Sequence, residues 1–240
     1  MARNNLFSLL FAILLLLGLV LSCNPPKAKK AQLKCDDQKF VTSGTANDAD
    51  ASNGPGVTYT DPARTANDAN TSGTSDPKTC RQLGGQVIAQ PGPQAPAGSN
   101  AGATATNKAT STFDVDEKDT YQYDITTTVT AALTKGSGKV HVVARVLDQN
   151  NAVVPGSDFQ VIYQFRDKGN NKIGITVNNE PEIEVGNPAT AWQDGDRIGL
   201  PQAFTLTKGK YTFQFEVNFE ALAPPDGKAD IKGISSVDLK

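Results

Sequence analysis

The sequence predicts an all-β protein: a single antiparallel β-sandwich, jelly-roll or Ig-like, preceded by a signal peptide and a long irregular low-complexity segment. Three observations carry that prediction. Tyr121, Tyr123, Ile125, Thr127, Val129, Ala131 and Leu133 alternate with mostly polar neighbours, the period of a half-buried strand. Tyr211, Phe213, Phe215, Val217 and Phe219 repeat the pattern against Thr212, Gln214, Glu216, Asn218 and Glu220. Gly, Asn and Asp punctuate the intervals between such runs, and no comparable window of residues 112–240 carries a 3.6-residue apolar period.

In chain order, Arg3 opens a short positive region and Leu6 to Leu21 is almost wholly apolar. That run falls short of the ~20 residues needed to span a bilayer as a helix. Asn24-Pro25-Pro26 follows, and proline stops the segment from extending. Residues 1–22 therefore read as an export signal. Val20-Leu21-Ser22-Cys23 at its end resembles the lipobox of bacterial lipoproteins, with Leu21 standing where Ala, Ser or Thr is more usual. The resemblance covers the first 25 residues or so. It implies that Cys23 is acylated after cleavage, so that the partner at this end is membrane lipid. Two or three acyl chains make a durable anchor where one does not. In that family an Asp after the cysteine favours inner-membrane retention; Asn24 here implies an outer membrane.

Residues 23–111 are rich in Ala, Asn, Thr, Ser, Gly and Pro. Such composition buries little apolar area against the entropy of ordering the chain. The segment reads as a lipid-anchored tether, with Gln90-Pro91-Gly92-Pro93 and the run to Thr112 as its extended part. Lys27, Lys29, Lys30 and Lys34 sit next to the anchor, where lysines attract anionic headgroups. Three cysteines less Cys23 leave Cys35 and Cys80, a matched pair expected to form a disulfide in an exported protein.

Within this segment Thr45-Ala46-Asn47-Asp48-Ala49-Asp50 recurs as Thr65-Ala66-Asn67-Asp68-Ala69-Asn70. The second copy runs on to Ser72-Gly73, which matches the opening of a calcium loop at Asp68, Asn70 and Ser72. Thr79 occupies the position where such a loop needs its bidentate glutamate. No cofactor is expected, with calcium the one cation the pattern allows.

Residues 112–240 are expected to form the sandwich. Gly136-Ser137-Gly138 reads as a hairpin-type turn leading to Val140, Val142, Ala144 and Val146 on one face. Phe159, Val161, Tyr163 and Phe165 come next, then a turn at Lys168-Gly169-Asn170-Asn171, then Ile173, Ile175 and Val177. Asp230 to Leu239 supplies a last strand, and the run from Leu206 to Phe213 resembles, generically, the late strands of extracellular jelly-roll modules.

A formal net charge of −2, or −3 once Arg3 is lost with the signal, argues against a nucleic-acid partner. The lone His141 falls on a polar face without a nucleophile at catalytic spacing, and no phosphate loop or G-x-S-x-G elbow occurs. No catalytic residue and no metal ligand is assigned. The candidate ligand-binding loop holds the sole tryptophan, Trp192, with Gln193, Asp194, Asp196 and Arg197. An exposed indole there would stack on a sugar while the amide and carboxylates bound hydroxyls; alternatively Trp192 caps the sandwich. Asp114, Asp116, Glu117 and Asp119 read as a solvated turn.

Taken together these features imply a non-catalytic, lipid-anchored envelope or surface protein presenting a sandwich to a protein or glycan partner, as an adhesin, scaffold or complex subunit. A carbohydrate-binding module centred on Trp192 is the alternative. A carboxylate hydrolase assembled from separate loops is the third class.

Overall fold

A computed structural model describes residues 33, 36–44, 48–53, 67–75, 81–91, 98, 100–192 and 203–240. They all fall in one compact unit, Ala31–Lys240, and their regular structure is entirely β-strand. The first strands are β1 (Asp37–Gly44), β2 (Asp48–Asn53), β3 (Asn67–Ser75), β4 (Gln82–Pro91) and β5 (Ala101–Val115). Next come β6 (Asp119–Tyr121), β7 (Tyr123–Thr134), β8 (Ser137–Leu147), β9 (Phe159–Gly169) and β10 (Lys172–Val177). The last are β11 (Ile183–Gly186), β12 (Ala189–Trp192), β13 (Phe204–Leu206), β14 (Gly209–Ala223) and β15 (Lys228–Leu239).

Two sheets pack face to face. One has the order β1-β5-β14-β8-β9-β10-β11 and the other β12-β7-β15-β4-β3-β2; β13 and β6 form a small third sheet. Every pairing is antiparallel except that of β2 with β3. The alternation seen in the sequence sorts side chains between core and solvent. On β7, Tyr123, Thr127, Val129, Ala131 and Leu133 are buried, while Asp124, Thr126 and Thr134 are exposed. On β14, Phe213, Phe215, Val217 and Phe219 are buried; they meet Val87, Val129 and Ile231 of the other sheet in one continuous core.

The boundary expected at residue 112 is corrected: it falls inside β5, and the segment read as tether supplies β4 and most of β5. Between Ala101 and Ala109 the odd positions are alanine, apart from Asn107, and all are buried. This is a period-two pattern written in residues too small to register as apolar. Its partner strand supplies the missing volume, since Phe215 pairs with Ala109 and Phe219 with Ala105. The buried Asn107 amide donates to the Gly84 carbonyl at 3.0 Å, tying β5 to β4 across the two sheets. An unpaired buried amide would cost free energy, so this bond favours one register between the layers.

The turn at Gly136 also differs from expectation. β7 and β8 lie in different sheets, so the turn is a corner that carries the chain across the sandwich rather than a hairpin. Gly138 is part of β8 and faces Ile231 of the opposite sheet. The turn between β9 and β10 does follow its sequence: Asn170 and Asn171 both take positive φ, at 51° and 58°, as a two-residue hairpin turn requires.

The described parts of the internal repeat lie side by side. β2 and β3 run parallel in register, Asp48 opposite Asp68, Ala49 opposite Ala69 and Asp50 opposite Asn70. The stretch that matches a calcium loop at Asp68 is therefore an extended strand. In an extended strand Asp68, Asn70 and Ser72 are spread at about 6.8 Å intervals, whereas a cation loop must curl its ligands around one point.

Candidate functional site

The loop singled out by sequence is described only at its stems. Trp192 ends β12, the edge strand of the six-stranded sheet, in register with the buried Val129. Gln193, Asp194, Asp196 and Arg197 lie outside the described residues, as do Cys23, Cys35, Cys80 and the residues before Leu33. The incoming stem is held by Asn187, whose side chain accepts from the Leu133 amide at 3.2 Å and donates to the Leu133 carbonyl at 2.5 Å. The Asn187–Pro188 bond that follows is cis. The outgoing stem is β13, where buried Phe204 packs on Tyr123 with ring centroids 5.2 Å apart. The Tyr123 hydroxyl donates to the Ser157 carbonyl at 2.7 Å, and burial pushes its phenol pKa well above the ordinary value.

His141 sits on the outer face of β8, with its Nε2 3.1 Å from the Gln160 amide oxygen. Asp114, Asp116 and Glu117 are exposed around the β5–β6 turn, and Asp119 caps the Thr120 amide at 2.8 Å. Among the described residues no group of three or more His, Cys, Asp or Glu is placed to share a metal ion.

The arrangement that sequence did not reveal is on the outer face of the six-stranded sheet, where β7, β15 and β4 run side by side. Register places Thr130, Lys232 and Gln86 in one row, Thr128, Ile234 and Gly84 in the next, and Thr126, Ser236 and Gln82 in a third. Beyond these, Asp124 stands directly opposite Asp238. Two carboxylates facing each other across a strand pair repel, and here each has its own cation. Arg81 reaches Asp238 at 2.9 Å, and the Lys240 ammonium meets Asp124. The contact with Asp124, first through its hydrogen bond and then through its charge, raises the Lys240 pKa.

Around this quartet lies an open groove of about 430 Å³, whose walls include Arg81, Gln82, Asp124, Thr126, Ser236 and Asp238. A second hollow of about 250 Å³ continues it over Thr128, Thr130, Gln86, Lys232 and Ile234. Gly85 and Gly233, register partners on these strands, also line this hollow. The signal for the site was present only in part. The Thr126, Thr128, Thr130 row is visible as the polar half of β7, but Arg81, Gln82 and Gln86 belonged to a segment with no evident partner.

A separate charge cluster lies on the seven-stranded sheet. Glu182 accepts hydrogen bonds from Arg166 and, at 2.9 Å, from Lys168. Those two bonds, Arg166 first, hold the Glu182 carboxyl down at about 2. A carboxylate with a depressed folded-state pKa stabilises the fold above its unfolded value, near 4.3, and loses that contribution as pH falls through about 2. Glu182→Gln should therefore lower the melting temperature at pH 7. The gap to the unsubstituted protein should narrow as pH falls from about 4 to about 2. A gap that persists unchanged at pH 2 in a melting series would exclude the ion cluster as its source.

No family model matches the chain and no curated protein matches it. Among solved structures it is similar to a CocE/NonD family hydrolase from Staphylococcus aureus, with 7% identity and a TM-score of 0.17 over 65% of this chain and 39% of that one. It is also similar to infectious bursal disease virus Gt strain, with 8% identity, a TM-score of 0.16, and 90% and 43% of the two chains covered. For the VP2 subviral particle of infectious bursal disease virus the figures are 7%, 0.15, 86% and 42%. The chain thus spans about two fifths of the length of each of these structures. Likeness this faint carries no argument about function.

Proposed function

We propose that this chain is a non-catalytic, lipid-anchored protein of the bacterial cell envelope, held at the outer membrane through Cys23, whose β-sandwich is presented for binding or assembly. The observation that carries the reading is the end of the leading apolar run at Val20-Leu21-Ser22-Cys23, followed at once by polar chain. The sandwich is compatible with presentation. Its core is closed between its own two sheets, and its outer faces carry polar rows such as Thr104, Glu220, Lys139 and Gln164. Two such faces leave it free to meet a protein or glycan partner without a second layer.

Intact-mass analysis of the membrane fraction tests the anchor. The expected mass lacks residues 1–22 and carries diacylglycerol on Cys23, and Cys23→Ala should leave the chain uncleaved and unacylated. The same spectrum, before and after reduction, should show Cys35 and Cys80 joined, a bond that in the chain-entropy model stabilises by roughly 4 kcal/mol. A membrane-bound chain with an intact N-terminus and an unmodified Cys23 would sink the reading.

A further inference from the structure

We propose that the outer groove over β4, β7 and β15 binds a neutral oligosaccharide chain lying along the strands. The groove is built on β4, β7 and β15, whereas Trp192 ends β12, the strand beside β7; binding in the groove does not depend on the lipid anchor, so either can fail alone.

Charge decides the ligand class first. Between Asp230 and Lys240 this face carries three cations, Arg81, Lys232 and Lys240, and three carboxylates, Asp124, Asp230 and Asp238. Most of these charges are satisfied within the face: Arg81 holds Asp238, Lys240 holds Asp124, and Gln86 donates to Asp230 at 2.7 Å. An anionic polymer would meet as many carboxylates as cations here, so nothing on the face favours one. A nucleic acid would need a basic stripe that is not there.

Hydrogen-bonding capacity comes next. Thr126, Thr128, Thr130 and Ser236 offer hydroxyls that both donate and accept, and Gln82 and Gln86 offer amides. Asp124, held by the Lys240 ammonium, adds carboxylate oxygens that accept. Such a mixture matches vicinal hydroxyls, which likewise donate and accept at once. Gln82 already donates to the Ser236 hydroxyl at a long 3.3 Å, a bond a ligand can replace at little cost.

Shape supplies the rest. From Thr130 to Asp124 the floor runs about 20 Å along the strand, long enough for several sugar units end to end. The hollows are open along that length, which suits a chain better than a compact molecule. Ile234, 37% exposed beside the side-chain-free Gly84, gives one apolar spot for the C–H face of a ring. With half-buried Ile88, opposite Asp230, the face has two separated apolar residues, too few to hold an amphipathic helix or a hydrophobic peptide.

Calorimetric titration of the full chain in detergent with chitohexaose and with cellohexaose, against polygalacturonate as the anionic control, tests the proposal. At least one neutral hexasaccharide should bind, more tightly than its disaccharide. Gln82→Ala and Thr126→Val should each weaken it about tenfold, as expected for a lost hydrogen bond, while Trp192→Ala leaves it unchanged. Both groove substitutions are at exposed positions, and circular dichroism of each variant checks that it folds. The proposal is overturned if neither hexasaccharide binds, if polygalacturonate alone binds, or if binding is lost in Trp192→Ala and kept in both groove variants. Competition at the groove by an extended peptide, with no response to either sugar, would assign it to a protein partner instead.

Discussion

Phe213→Ala should destabilise the sandwich by about 3–5 kcal/mol, lowering the melting temperature by more than about 6 °C for a domain of this size. The ring is 1% exposed and lies at the centre of an aromatic cluster. Its centroid is 6.1 Å from that of Tyr123 and 6.4 Å from that of Phe215. Its register neighbours are Ser111 on β5 and Val146 on β8, neither long enough to fill the space it would leave. The consequence extends beyond the core. Tyr123 holds both Phe204, at the outgoing stem of the Trp192 loop, and the Ser157 carbonyl. Loosening Tyr123 should therefore raise hydrogen exchange at β13 and around Ser157 before the rest of the domain. Phe213→Leu, which keeps most of the volume, should cost less than half as much. A loss below about 1 kcal/mol for the alanine variant would mean that the cluster collapses to refill the site, contrary to the packing described.

Gly138→Val should be nearly as damaging, for the opposite reason. A Cβ at residue 138 would stand 2.3 Å from both Cδ1 and Cγ1 of Ile231, and 3.1 Å from the Glu220 carbonyl oxygen. Ile231 is fully buried in the other sheet and has nowhere to turn. The two layers would have to part, at a cost of about 3 kcal/mol. A double-mutant cycle makes the claim specific. Gly138→Ala adds one methyl to a full site, and Ile231→Ala alone leaves a cavity costing about 2–5 kcal/mol. In the double variant the new methyl occupies part of that cavity, so its loss should fall short of the sum of the two single losses by about 1–3 kcal/mol. Urea denaturation of the four proteins measures this. Simple additivity would show that Gly138 and Ile231 are not the contact that sets the spacing between the sheets.

The legible part of this fold was the part written in large side chains. Tyr123 to Leu133 and Tyr211 to Phe219 show their buried faces directly, because a strand turns alternate residues to opposite sides whatever lies around it. The strand from Ala101 to Val115 follows the same alternation, but alanine and threonine differ too little in size and polarity to stand out. It is buried because β14 brings phenylalanines to it. Gly138 misled in a related way: a glycine near a turn reads as part of the turn, whereas here it is the thin point of a strand against Ile231.

The candidate groove was still less accessible. Its components lie far apart in the chain, Arg81 from Asp238 by 157 positions and Gln86 from Asp230 by 144. Local spacing could name the Trp192 loop as a site, because those residues are neighbours in sequence; it had no means of naming a row drawn from three strands.

By itself, then, the sequence determined that the described part of the chain is all-β and which residues of its larger strands turn inward. These properties follow from period and side-chain volume within a single strand. Only the tertiary structure decided that β4 and β5 belong to the sandwich, that Gly136 marks a crossing between layers, and that Arg81, Asp124 and Asp238 share one surface. Those outcomes rest on which strands hydrogen-bond to which, and in this fold such pairings join residues more than a hundred positions apart.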